Sequence, residues 1–420
     1  VSLNELRDLY DVVVLAYGCE SDNKLGIDGE ERLKGILSAR EFVAWYNGHP
    51  NFVHIGEELS KLLSSSNQPK QVVVIGQGNV ALDCARILAK GKQGLIDTDI
   101  ASHALDVIGD GIEKTIVLGR RGHVQGAFTI KELRELTKLK KEGHNVAFNV
   151  RQDELDMGAT PSTMKELNLP GARPKVRIDK LLRDVAAATD TTSGANTTTK
   201  EVDLRFLLQP ITFLPDELDP SRVGSLVCQR TELKGEPRNQ VAVATGEEET
   251  FPVSLVLVSI GYKGVPLPEL EKEDLFDYKK GIVRNNHGKV TSSILNTNTN
   301  SLDTKGGLYV SGWLKRGPSG IIGTNISDAK DTVASILFDL KNGNIFNDDD
   351  ANKEDDVQVD VSSKSGRDGL NLLLKERGVK IVDWDFYRKI DAEEKTPGRL
   401  RSERQPREKI TSVQEMLQLL

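Results

Sequence analysis

The stretch from Gln71 to Asp83 limits what this chain can fold into more than any other. Val72, Val73, Val74 and Ile75 form a continuous apolar run, which predicts a strand buried on both faces, as in a parallel sheet. Gly76-Gln77-Gly78-Asn79-Val80-Ala81 then opens a helix. In that helix Val80, Cys84, Ile87 and Leu88 recur at i, i+4, i+7 and i+8, an apolar stripe expected to face the sheet. Gly76 permits a tight turn, and Gly78 leaves no Cβ between the backbone and a pyrophosphate. Ala81 stands where close helix–strand packing needs a small residue. The first-turn N–H groups and the positive end of the helix dipole then face an anion.

A glycine turn of this kind is weak evidence alone, but strand before and helix after supply the context it requires. A second strand at 115–118 ends in Gly119-Arg120-Arg121-Gly122. In the dinucleotide fold this position carries an acid for the ribose of NAD, or arginine for the 2′-phosphate of NADP. Here there are two arginines and no acid. The spacing exceeds the usual ~20 residues, and a helical insertion over 96–108 would account for the excess. A charge-assisted hydrogen bond contributes about 1.5–3 kcal/mol, and ~1.4 kcal/mol is a factor of ten. One or two such bonds therefore favour NADP over NAD by roughly ten- to several-hundredfold.

With 420 residues the chain is long enough for two or three domains. A net charge of −7 argues against a nucleic-acid binder, and no apolar stretch approaches the ~18 residues of a membrane span. Cys19, Cys84 and Cys228 are isolated, which excludes a Cys-x-x-Cys pair and with it dithiol–disulfide reductase chemistry. The histidines form no metal-ligand pattern, so no metal is expected.

The remaining segments suggest one domain interrupted by another. Residues 9–18 form an apolar strand ending in glycine, with no strand–turn–helix before it. Ser38 and Glu41 bracket the start of a helix with capping-box spacing. A helix capped by Thr129, with Glu132 at the capping-box position, follows the arginines, and a basic patch at 173–177 runs into a helix over 178–188. Residues 189–200 are low in complexity and read as a mobile loop. Strand-like segments follow at 203–208, 225–231 and 240–244. A strand at 255–261 again ends in glycine, and a further one spans 307–313. The second of these leads through 314–325 into a helix over 326–340, and 347–360 is an acidic, solvated insertion. The chain starts at Val1, and the first phosphate-binding turn of the interrupted domain is not in it. The expectation is a fragment that lacks part of that domain's nucleotide site.

These motifs resemble the adrenodoxin reductase family, the mitochondrial NADPH:ferredoxin oxidoreductases. The resemblance runs from Val13 to the C-terminus. It rests on Ser38-Ala39-Arg40 with Trp45-Tyr46-Asn47-Gly48, on 76–83, on 119–122 with 127–135, and on Ser259-Ile260-Gly261-Tyr262-Lys263. Ser311-Gly312-Trp313 with Lys315-Arg316-Gly317-Pro318, and 406–409 with 414–417, complete it. His123 and Gly126 stand where the family more often has other residues.

The resemblance implies an α/β protein of two Rossmann-like dinucleotide-binding domains, with the NADP domain inserted into an incomplete FAD domain. Residues 1–70 would be the end of the first FAD half and a crossover, 71–250 the NADP domain, 251–345 the returning FAD segment, and 346–420 the acidic insertion and tail. It implies NADP contacts at Gln77, Gly78, Asn79, Val80, Arg120, Arg121 and Glu132, and FAD contacts at Trp313, Gly320, Ile321 and Ile322, with Gly320 also beside the nicotinamide. Electrons would pass from NADPH through FAD singly to a [2Fe–2S] ferredoxin. Glu132 is the candidate catalytic residue, holding the nicotinamide carboxamide or buffering a proton; its other reading is a capping-box acid. The resemblance places ferredoxin docking at Arg134, Arg173 and Arg177, and the protein in the mitochondrial matrix, with a peripheral position on the inner membrane compatible with it. Two alternatives stand beside this reading. One is an NADPH-dependent flavoprotein of the glutamate synthase small-subunit type, and the other is an inactive NADP-binding fragment.

Overall fold

The computed structural model describes residues 1–64, 70–109, 112–190, 200–296, 301–320, 322–343, 345 and 364–419. Of the low-complexity segment 189–200, residues 191–199 lie outside them, while 189–190 end a helix and Lys200 begins a strand; the acidic run at 347–360 and Ile321 also lie outside. The chain divides into two compact units. Unit 1 is Val1–Asn23 with Gly261–Val382, and unit 2 is Lys24–Ile260 with Asp383–Leu420. The segment 251–345 thus divides between the units at Ile260/Gly261.

In chain order the strands that position the sites are β1 (Val13–Leu15), β2 (Ile36–Ser38), β3 (Gln71–Ile75), β4 (Lys114–Leu118), β5 (Val146–Val150) and β6 (Lys200–Arg205). They continue with β7 (Leu208–Pro215), β8 (Val223–Lys234), β9 (Val241–Pro252), β10 (Leu255–Val258), β11 (Lys289–Asn296) and β12 (Ser301–Val310). The helices are α1 (Ala39–Tyr46), α2 (Asn79–Leu95), α3 (Ser102–Ile108), α4 (Ile130–Lys138), α5 (Gln152–Gly158), α6 (Arg173–Asp190), α7 (Trp313–Arg316) and α8 (Thr324–Lys341).

Unit 2 is built on a parallel sheet of order β2-β10-β3-β4-β6-β5. Its central strands are apolar throughout because both faces are covered. Val72 and Val74 join the helical layer with Leu82, Leu88 and Leu133. Val73 and Ile75 pack instead with Phe213, Leu226 and Phe251 of an antiparallel sheet, β9-β8-β7. Each such side chain stabilises the fold by roughly 1.5–3 kcal/mol when fully buried. The chain leaves β3 toward β4 on one side, while β10 pairs with β3 on the other. Ligands of open α/β sheets bind at the carboxyl ends of strands at such a switch point.

The periodicity of α2 holds with one shift. Its buried face is Ala81, Leu82, Cys84, Ala85, Leu88 and Ala89, whereas Val80 and Ile87 are half-buried. Small residues on the sheet side let the helix approach closely, so the stripe is centred on the alanines rather than on the larger side chains. The insertion expected to be helical over 96–108 forms a helix only at α3, the chain bending at Gly91 (φ 59°, ψ −168°) and over 96–101. The capping box of α1 is complete: Ser38 Oγ accepts from Glu41 N, and Ser38 N donates to Glu41 Oε2, each at 3.1 Å. The charged C-terminal stretch is a clamp within unit 2. Arg401 donates to the Ile100 and Thr98 carbonyls, both at 2.9 Å, and pairs with Glu408 at 2.8 Å.

Unit 1 has a sheet in which β1 runs parallel to β12, and β12 antiparallel to β11. Leu15, Leu308, Val310 and Leu314 share its core. β1 is shorter than the apolar run over 9–18 and lies at the sheet edge, so Val14 is 43% exposed instead of buried.

Candidate dinucleotide and flavin sites

The turn after β3 is shaped by two glycines with different duties. Gly76 has φ +134°, and a Cβ there would meet the Ser259 carbonyl oxygen at 2.0 Å. Its N–H donates to the Leu118 carbonyl (2.8 Å), so β3, β4 and the chain after β10 meet at this residue. Gly76→Ala is expected to destabilise unit 2 by roughly 2–4 kcal/mol, because it adds a backbone clash to an unfavourable φ; urea unfolding measures it. Gly78, by contrast, would have nothing within 4 Å of its Cβ. It is the N-cap of α2 and offers no side-chain cap, so the first-turn amides of that helix are left for an anion. Open space over Gly78 and uncapped amides fit a dinucleotide pyrophosphate.

The neighbouring side chains build the turn. Gln77 Nε2 donates to the Arg205 carbonyl (2.9 Å), and its own carbonyl accepts from Ala127 N (2.8 Å). Gly119 lets the Gln77 side chain lie across the end of β4, since a Cβ there would be 2.5 Å from Gln77 Cδ. Asn79 Oδ1 accepts from Thr129 N at 2.8 Å, tying the glycine turn to α4. Val80 is half-buried.

That last bond bears on the capping-box reading of Glu132. Thr129 Oγ1 accepts from Glu132 N at 3.5 Å, but the N-cap N–H that a capping-box acid would take is held by Asn79. The Glu132 carboxylate is half-buried and has no hydrogen-bond partner among the described residues. It is not a capping-box acid.

Arg120 and Arg121 follow β4, and both side chains are exposed. Neither makes an ion pair among the described residues. Two bare guanidinium groups beyond the second strand fit the phosphate of a 2′-phosphorylated ribose. His123, fully buried, follows them; its Nε2 lies 2.8 Å from Asp179 Oδ1 on α6, and Arg183 Nε donates to the same oxygen at 3.0 Å. The His123 imidazole, with Arg183, holds the Asp179 carboxyl below the ordinary carboxylate range. Sequence reading singled out His123 only as an unusual residue; its pairing with a residue 56 positions later needs the fold.

Helix α6 begins at Arg173, which puts Arg173 and Arg177 on one face as i, i+4 neighbours. Helix α4 packs beside it, Leu133 and Leu136 sharing a core cluster with Ile178 and Leu182. Arg134, Arg173 and Arg177 are all exposed and have no ion-pair partner among the described residues.

In unit 1, Trp313 opens α7 and stacks on Tyr262, with centroids 5.9 Å apart and planes 22° from parallel. Asp328 on α8 accepts from Ser311 Oγ (3.1 Å) and from the N–H of Gly312, and Lys315 Nζ pairs with Asp331 (2.7 Å). Those bonds tie the Trp313 loop to α8. Gly320 has φ +88° and a Cβ there would lie 2.7 Å from Thr324 Oγ1, so the loop needs glycine. Ile322 is 89% exposed. Helix α8 starts two residues earlier than expected, and its N-cap Gly323 again offers no side-chain cap. An aromatic plate and an uncapped helix end on this loop fit a flavin and its polar edge. The cysteines lie apart from this chemistry: all three are buried and free, and burial pushes the Cys84 and Cys228 thiols up to about 12.

No family model matches the chain. It is 43% identical over 419 residues to the mitochondrial NADPH:adrenodoxin oxidoreductase of Arabidopsis thaliana, covering 99% of this chain and 78% of that protein. The human protein of the same name is 37% identical over 426 residues, with 76% of its length covered. The structure of Mycobacterium tuberculosis FprA in complex with NADPH superposes with a TM-score of 0.78 at 34% identity, covering all of this chain and 80% of that one. Identity of this order across essentially the whole of this chain and two units of α/β architecture lead to one assignment: the chain belongs to the NADPH:adrenodoxin oxidoreductase family.

Proposed function

We propose that the chain works as an NADPH:ferredoxin oxidoreductase with NADP held by unit 2 and FAD by unit 1. The observation that carries this reading is the pair of exposed guanidinium groups of Arg120 and Arg121, free of ion pairs, beyond an uncapped phosphate turn. Bound FAD would supply the chemistry that accepts a hydride from NADPH and releases its two electrons singly to a [2Fe–2S] ferredoxin. The protein's own contribution is positioning and electrostatics. Gln77, Gly78, Asn79 and Val80 form the pyrophosphate turn, and Arg120 and Arg121 take the 2′-phosphate. Glu132, excluded from the capping box, accepts from the nicotinamide carboxamide. Trp313, Gly320 and Ile322 would hold the flavin, and the uncapped end of α8 would favour its polar edge.

The relatives' names specify an adrenodoxin or ferredoxin, and the face of α4 and α6 bearing Arg134, Arg173 and Arg177 is our candidate for its dock. A chain of net charge −7 needs such a local basic cluster to steer an acidic protein. Arg177→Glu should slow ferredoxin-dependent cytochrome c reduction by about tenfold at low salt, with the difference shrinking as salt rises. Flavin reduction by NADPH, followed by rapid mixing, should stay within twofold; equal slowing of both steps would remove the dock from this face. Among the described residues no helix is long and apolar enough to cross a membrane. A mitochondrial location is supported by the names of the mitochondrial relatives alone, the FprA relative being bacterial, and a matrix position peripheral to the inner membrane is our proposal within it. Fractionation of cells expressing the full coding sequence tests it.

A further inference from the structure

The two arginines stand on a loop whose backbone is tied down at every step while their side chains are free. The Gly119 carbonyl accepts from Leu208 N (3.0 Å), that of Arg121 from Leu207 N (3.2 Å), and that of Gly122 from Gln125 N (3.1 Å). The Arg120 carbonyl accepts from Thr231 Oγ1 at 2.7 Å. Thr231, on β8 and 2% exposed, is the one side chain among the described residues that donates to this loop's backbone. It also bonds in the other direction, its N–H donating to the Leu207 carbonyl (2.9 Å).

Leu207 is itself unusual: a fully buried leucine at φ +58°. A side chain in the left-handed region is costly and persists only where the surroundings over-determine it. Here the surroundings are specific. The preceding peptide is fixed by Glu154, which accepts from Phe206 N (2.7 Å), and by Arg230, which donates to the Phe206 carbonyl (3.4 Å). Leu207 can therefore present its N–H to Arg121 and its carbonyl to Thr231 at once.

We infer that Thr231 is a specificity-determining positioning residue: by holding the Arg120 carbonyl it aims both guanidinium groups and so sets the preference for a 2′-phosphorylated adenosine ribose over an unphosphorylated one. The inference rests on reading Arg120 and Arg121 as the 2′-phosphate grip. The physical reason is preorganisation. A long exposed side chain already loses rotamer freedom when it binds a phosphate, and a swinging backbone beneath it would add to that loss. Bidentate recognition also tolerates little misorientation. The remainder of the dinucleotide is held by the turn after β3, whose contacts do not pass through Thr231.

Calorimetric titration with NADP+ and NAD+ separates this role from a merely structural one. Thr231→Val should weaken NADP+ binding by roughly five- to twentyfold, the range of one lost positioning bond, while NAD+ affinity stays within twofold. Thr231→Ser, which keeps the hydroxyl, should restore NADP+ affinity. If valine prevents folding, Thr231→Ala removes the same hydroxyl without placing a methyl group against the carbonyl. Equal weakening of both nucleotides, or no weakening of NADP+ while Arg120→Ala and Arg121→Ala do weaken it, overturns the role of Thr231 and leaves the grip standing. Unchanged NADP+ binding in the arginine variants overturns the grip itself, and the inference with it.

Discussion

Replacing Arg120 and Arg121 together by alanine is expected to raise KM for NADPH by roughly ten- to several-hundredfold while leaving KM for NADH within twofold. The range follows from charge-assisted bonds of about 1.5–3 kcal/mol each, discounted because both side chains are exposed to water and salt. Neither guanidinium has another partner among the described residues, so no fold-supporting ion pair is lost in the double variant. Its melting temperature should therefore match that of the parent. Steady-state reduction of ferricyanide by either nucleotide gives both constants in one experiment. A double variant with an unchanged NADPH constant would remove the assignment of these residues to the 2′-phosphate.

The second large effect concerns stability. Glu154 is fully buried on α5, and both its oxygens are used. Arg205 Nε and Arg230 Nη1 each donate to it at 2.8 Å, and both arginines also reach Glu249, at 2.9 and 2.7 Å. Glu154→Ala leaves two arginines with little solvent access and one of their two carboxylates gone. Removing one partner of a buried ion pair costs about 3–5 kcal/mol, and denaturant unfolding should read a loss of that size. Glu154→Gln keeps the shape and one acceptor and should lose less. The damage should also reach the nucleotide site, because the Arg205 carbonyl holds Gln77 and the peptide at Phe206 leads into Leu207. A Glu154→Ala protein as stable as the parent would show that solvent replaces the carboxylate and that the cluster does not brace the loop.

How far the molecule could be read from its residues depended on the range of the interactions involved. The strand at β3 and the turn after it were legible because local rules decide them: an apolar run covered on both faces, then two glycines with distinct backbone duties. The capping box at Ser38 was legible for the same reason, since both its bonds span three residues. At Thr129 the same local signal misled. The spacing suits a capping box, but the amide that Glu132 would take is already bonded to Asn79, 50 positions earlier. The edge position of β1 could not be inferred from an apolar run alone, because exposure depends on how many neighbours the strand has. The role of the 399–409 stretch was hidden likewise: Arg401 looks like a surface charge until the chain folds it against the Thr98 and Ile100 carbonyls. The cluster of Glu154, Arg205, Arg230 and Glu249 joins four elements, and nothing in residue spacing announces it.

The central claim is that the phosphate on the adenosine ribose is gripped by Arg120 and Arg121 at the carboxyl end of β4. A crystal structure of the protein with NADP+ tests it most directly. The account predicts 2′-phosphate oxygens within hydrogen-bonding distance of both guanidinium groups, at about 2.7–2.9 Å, with the pyrophosphate over Gly78. A 2′-phosphate bound elsewhere, with either arginine turned to solvent, would contradict it.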